Sequence, residues 1–142
     1  MILGLVNTII NASINTLLIG TFESNCIQTQ NQNHQGYLKE IYHFDEKNPI
    51  FSHEKAWYSD PQCSDFLDSE FQEGKFQIGK KIPSFFSQAQ NFEIDFLYDQ
   101  QFDLGIVTIV DENTIKIGRG MVNSQWRNTM PSLFEFKKNL NP

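Results

Sequence analysis

Gly20-Thr21-Phe22-Glu23-Ser24-Asn25-Cys26 and Trp57-Tyr58-Ser59-Asp60-Pro61-Gln62-Cys63 decide the fold. Each is a strand-like stretch ending on a cysteine. We read them as two strands of one sheet, joined by the only disulfide the chain can form, because two cysteines allow a single pairing. Neither cysteine sits in a Cys-x-x-Cys or a metal-type cluster. In a reducing compartment the two remain thiols; in a periplasm or outside a cell they pair. On the loop-entropy account, a bond closing a loop of this length stabilises the fold by roughly 3–4 kcal/mol.

A chain of 142 residues suffices for one domain around one core. Aromatic residues make up 13% of it, 13 of them Phe, and aromatic and β-branched residues in short runs favour strands over helices. A net charge of -6 argues against nucleic acid as a partner, whose phosphates need a basic surface.

Residues 1–19 (MILGLVNTIINASINTLLI) are apolar but interrupted by Asn7, Asn11 and Asn15. No Lys or Arg follows Met1, so the basic region of a secretion signal is missing. The run is too short and broken to span a bilayer. Ile2, Leu5, Val6, Ile9, Ile10, Ile14, Leu17 and Leu18 fit helical spacing. The competing reading is a truncated secretion signal running into the first strand. Residues 1–16 are accordingly set apart, as a short helix or a signal remnant, from a barrel domain over 17–142.

A first strand is expected over Leu17–Gln28, then a polar turn-rich stretch. Tyr37–Asp45 alternates, with Leu38, Glu40, Tyr42 and Phe44 on one face and Tyr37, Lys39, Ile41 and His43 on the other. A turn around Pro49 leads into a strand over Ile50–Tyr58, so the pair forms a hairpin. Phe66–Phe71 reads as a strand or short helix, Glu73-Gly74-Lys75 as a tight turn, and Lys75–Gly79 as a strand. Phe92, Ile94, Phe96 and Tyr98 alternate with Glu93 and Asp95, which point to solvent. Phe102–Val110 is a strand in which Gly105 marks a bulge. Thr114–Gly118 and Phe134-Glu135-Phe136 follow, with Arg119, Trp126 and Arg127 in the loop between them. Eight or nine short strands with frequent turn signals make an all-β antiparallel barrel or sandwich.

These residues resemble the lipocalin-like (calycin) barrels. Gly20-Thr21-Phe22 looks like their Gly-x-Trp opening, with Phe in place of Trp, and Arg127 is placed as the late Arg that packs over that ring. A closer resemblance is to bacterial secreted lipocalin-like domains related to the extracellular APCDD family. It rests on Gly20-Thr21-Phe22…Cys26, Tyr58-Ser59-Asp60-Pro61-Gln62-Cys63, Phe76-Gln77-Ile78-Gly79, Glu93-Ile94-Asp95, Ile115-Lys116-Ile117-Gly118 and Arg127…Pro131-Ser132-Leu133. Three residues separate Arg127 from Pro131 where the family has the two adjacent. The resemblance covers about residues 17–136. It implies a secreted or periplasmic barrel with a Cys26–Cys63 disulfide and no catalytic chemistry. Lipocalins commonly carry small apolar molecules, and the aromatic residues Phe22, Tyr42, Phe44, Trp57 and Phe96 are expected to line a cup for a ligand of the lipid or fatty acid class.

The chemistry read directly from the residues is sparse. His43 and His53 fall in adjacent hairpin strands as a cross-strand pair, which is too little for a zinc site without further ligands. Asp65, Asp68, Glu70 and Glu73 lack the spacing of a calcium loop and read as a solvated face. No nucleophile elbow, phosphate loop or dinucleotide fingerprint appears, so neither an enzyme nor a cofactor is expected. Phe76, Phe92 and Phe134 complete the aromatic set. The alternative to a ligand cup is a barrel filled by those rings, acting as a cell-envelope structural or protein-interaction module.

Overall fold

The computed structural model describes residues 18–30, 35–45, 49–83, 89–132 and 134–140. The expected N-terminal segment 1–16 and His34 lie outside the described residues. Nine strands follow in order: β1 (Gly20–Ser24), β2 (Ile27–Gln30), β3 (Gln35–Phe44), β4 (Ile50–Tyr58), β5 (Phe66–Ile82), β6 (Gln90–Tyr98), β7 (Gln101–Asp111), β8 (Thr114–Gly118) and β9 (Phe136–Lys138). Every pairing is antiparallel, and no helix occurs among the described residues.

β1 pairs with β3 on one side and β9 on the other, so β1, β3, β4, β5, β6, β7, β8 and β9 close an eight-stranded antiparallel barrel. β2 is the ninth strand and continues β1 along the same edge of β3: Glu23 faces Ile41 and, after the break at Asn25-Cys26, Ile27 faces Leu38. The all-β antiparallel barrel expected from the alternation is what the chain forms. The single first strand expected over Leu17–Gln28 is two.

Successive residues of a strand face opposite sides, so one residue in two enters the barrel. Phe22, Tyr42, Phe44, Phe51, Phe92, Ile94, Phe96, Val107, Ile115 and Phe136 meet there in one cluster. Phe22, Phe44, Phe51 and Phe96 retain no exposed surface. Phe51 meets Phe96 edge-on at 4.8 Å between centroids, and Phe44 meets Phe76 likewise at 5.0 Å. Burial of each such ring contributes roughly 1.5–3 kcal/mol, which makes this the main source of stability.

Cys26 and Cys63 form the expected disulfide, with 5.8 Å between their Cα atoms. It ties the β1–β2 break to the loop between β4 and β5. Asp60 organises that loop, accepting the backbone N–H groups of Ser64 at 3.0 Å and Asp65 at 2.7 Å. The Ser64 hydroxyl, followed by these amides, holds its carboxyl below the usual carboxylate range.

Two glycines sit in strands where a turn and a bulge are expected. β5 runs unbroken through Glu73-Gly74-Lys75, where a turn was expected. A Cβ on Gly74 would lie 2.0 Å from the carbonyl oxygen of Leu97, so this glycine serves a close approach of strands. Gly105 pairs in register with Ile94 and makes no bulge; a Cβ there would lie 2.3 Å from the Gly118 oxygen. The irregularity in β7 falls instead between Ile109 and Asp111. The last strand begins at Phe136, and Phe134, expected in the lining, is 44% exposed. No helix among the described residues is long and apolar enough to cross a membrane.

Candidate functional site

Along the barrel axis the inward positions change character. β3 runs Phe44, Tyr42, Glu40; β4 runs Phe51, His53, Lys55; β7 runs Ile109, Val107, Gly105, Asp103. The register brings the polar members to one level, with Tyr42 opposite His53, His53 opposite Gln72, and Phe96 opposite Asp103. One end of the barrel is filled with rings, and the other carries a polar cluster.

Arg119, the residue after β8, organises that cluster. Its Nε donates to Asp103 Oδ2 at 2.9 Å, and its Nη2 donates to the same oxygen. The Tyr98 hydroxyl donates to the two Asp103 oxygens at 2.8 and 2.9 Å. The guanidinium carbon lies 4.4 Å from the centroid of Phe96, 5.2 Å from Tyr98 and 5.6 Å from Phe51, a cation held over three aromatic faces. Burial works against its charge, but Tyr42 and Asp103 together hold the guanidinium cationic.

His53 continues the chain of contacts. Arg119 Nη1 lies 3.3 Å from His53 Nδ1, and His53 Nε2 lies 2.8 Å from Glu40 Oε1. Arginine only donates, so Nδ1 accepts and Nε2 carries the proton toward Glu40. That is the neutral tautomer. Burial, opposed by Glu40, lowers the pKa of His53 below its ordinary value, in keeping with that form. The Tyr42 ring stacks on the imidazole with centroids 4.0 Å apart and planes 6° apart. Burial pushes the Tyr42 phenol far above its ordinary range, and burial followed by Asp103 raises that of Tyr98.

A cavity of about 320 Å³ opens beside this network. His53 and Lys55 of β4, Glu70, Phe71 and Gln72 of β5, and Tyr98, Asp103 and Arg119 line it. Gln72 Oε1 is buried and has no hydrogen-bond partner among the described residues. An orphaned acceptor of this kind costs roughly 1–3 kcal/mol. A second hollow of about 460 Å³ shares Tyr98 with the first and is lined by residues 73–75 and 97–102.

The five residues expected to form an apolar cup are all buried. Phe22, Phe44 and Phe96 are packed in the core, Tyr42 is 2% exposed against His53, and Trp57 is 6% exposed opposite Leu38. None of the five lines either hollow. His43 and His53 are not a pair: the register sets His43 opposite Ser52, and exposed His43 meets the Thr21 hydroxyl at 2.8 Å. Glu93 and Asp95 face outward as expected, bound by Arg127 at 3.4 and 2.7 Å. Arg127 is therefore on the outer wall and not over Phe22. The cation over Phe22 is Lys138, with Nζ 5.4 Å from the ring centroid. Among the described residues no three His, Cys, Asp or Glu converge to hold a metal ion.

The sequence did carry a signal for part of this cluster. Asp103 interrupts the inward phase of an otherwise apolar strand, as His53 does after Phe51. Arg119 sits in a loop where no periodicity marks which way it points.

Fold and site together define a closed antiparallel barrel, packed with aromatic rings toward one end and seating a buried ion cluster at its mouth. No family model, curated protein or solved structure matches the chain.

Proposed function

We propose that this protein is an exported binding barrel that holds the polar head of a small amphiphile, of the lipid class, in the cavity at its mouth. The observation that carries this reading is Gln72, which lines the cavity and whose buried Oε1 has no hydrogen-bond partner among the described residues. It calls for a donor, which a hydroxylated head supplies and an ionised fatty acid does not. The formal charges around the cavity balance, Lys55 and Arg119 against Glu70 and Asp103, which favours an uncharged head. The second hollow, beside Leu97 and Phe102, offers an apolar wall for the tail outside the filled core. The disulfide supports export, since such bonds persist in oxidising compartments.

The test is calorimetric titration of the oxidised protein with a short-chain monoacylglycerol and the matching fatty acid. The ester is expected to bind saturably, about tenfold more weakly to Gln72→Leu, the loss of one hydrogen bond. Absence of saturable binding, or equal binding to the variant, removes the reading. A second reading, a protein-interaction module, is favoured by the filled aromatic core.

A further inference from the structure

The wall of the barrel has a notch. β5 pairs with β4 from Phe66 to Lys75, but with β6 only from Lys75 onward. The β6–β7 hairpin turns at Asp99 and Gln100, both at positive φ (47° and 60°), and reaches no further. Among the described residues, no strand pairs with the other side of β5 between Phe66 and Gly74.

The direction of the backbone groups there follows from one bond. Phe76 N–H donates to the Pro49 oxygen at 2.8 Å, on the β4 side. With a period of two and no irregularity between residues 68 and 75, the N–H and C=O of Phe71 and Glu73 face the notch. The Ser69 N–H is already taken by the Asp68 carboxylate at 2.8 Å. Phe66, Leu67 and Phe71 are 57%, 54% and 62% exposed along this edge. An edge carrying exposed apolar residues and open amides is a template for an added strand.

We propose that the β5 edge around Ser69–Glu73 takes an extended segment of a partner protein by strand addition, and that this segment alternates apolar with Lys or Arg side chains. A second copy of this chain fits poorly. Antiparallel self-pairing brings together two chains of net charge -6 along edges that each carry Asp68, Glu70 and Glu73, and like-charged surfaces repel. Asp68 and Glu70 share one phase of the strand and, on a chain of net charge -6, attract the cationic side chains of the segment. Apolar side chains on the alternate phase lie against Phe71.

The probe is a short synthetic peptide alternating valine and lysine, titrated into the oxidised protein by fluorescence anisotropy, with amide hydrogen exchange read at Phe71 and Glu73. Saturable binding with protection of those two amides is expected. Phe71→Pro removes an N–H that faces the notch and spares the β4 ladder, and is expected to weaken binding at least about tenfold. The same peptide N-methylated on alternate amides tests the unaltered protein and is expected not to bind. The proposal is overturned by no binding of the alternating peptide, by equal binding of the methylated peptide, or by equal binding to a folded Phe71→Pro. Equal binding of a peptide with its valines and lysines in separate blocks, or of a valine–glutamate peptide, overturns it as well.

Discussion

Asp103→Asn removes one charge from the mouth of the barrel and almost no volume. In the wild-type protein Asp103 is 3% exposed and accepts from both Tyr98 and Arg119. Removing one partner of a buried ion pair typically costs about 3–5 kcal/mol, because the other charge stays buried. Arg119 keeps its place over Phe96 and its contact with His53, so the cost falls at the low end, about 3 kcal/mol. Arg119→Met strands the carboxylate instead. That side chain is 4% exposed against 16% for Arg119, so the expected cost is higher, about 4 kcal/mol. With both changes no charge of the pair remains, and the loss drops to about 1–2 kcal/mol from imperfect hydrogen bonding at Tyr98. Urea unfolding of the oxidised protein at neutral pH measures all four corners of this cycle. With an m-value of about 2 kcal/mol/M, Asp103→Asn lowers the midpoint by about 1.5 M. A change under about 0.5 kcal/mol, or a double variant losing the sum of the singles, would refute the assignment of Arg119 and Asp103 as one buried unit.

The pH profile tests the neutral His53. Its folded pKa lies below the ordinary 6.5, so between those two values the unfolded chain binds more protons and stability rises with pH. The His53 contribution is therefore full above about pH 6.5 and lost as pH falls toward the folded pKa; in thermal unfolding the wild type should fall off below that point faster than His53→Asn, and parallel profiles would count against it. Reduction tests the disulfide. With a sequence separation of 37 between Cys26 and Cys63, loop entropy puts the loss at about 4 kcal/mol; the unfolding free energies from urea titration of the oxidised protein and of the Cys26→Ala, Cys63→Ala double variant should differ by that much, and near-equal values would mean the β1–β2 break is held by other contacts.

The fold was legible where strands show one wet and one dry face. Tyr42, Phe44 and His43 sorted as expected because alternation reports the pleat directly. Gly74 and Gly105 misled because a glycine serves turns, bulges and close approaches alike, and only the opposite strand distinguishes them. Inward rings look the same in a sequence whether they meet each other or a ligand, so the aromatic set fits a lining and a filled core alike; the contact between Phe51 and Phe96, 4.8 Å between centroids, is ring against ring. The polar site was mostly hidden. Its members come from β3, β4, β5, β6, β7 and the residue after β8, and closure of the sheet brings them together. Arg127, the cation chosen from the sequence, sits on the outer wall, and Arg119, eight positions earlier, enters the barrel.

The composition of the mouth argues that it is kept for more than stability. A buried ion pair seldom stabilises better than well-packed apolar side chains of the same volume, and this barrel has apolar side chains in plenty. Met in place of Arg119 and Leu in place of Asp103 would extend the ring-filled half by another layer. The chain instead keeps a cation over three aromatic rings and a carboxylate that fixes Tyr98. It also keeps a neutral histidine between Arg119 and Glu40. Each of these contacts immobilises a side chain in or against the wall of the same cavity. Among the described residues, Gln72 alone offers a buried side-chain acceptor with nothing to meet it. A rigid polar frame with one open hydrogen bond is the arrangement that the proposed ligand binding requires, since orientation is then fixed before a ligand arrives.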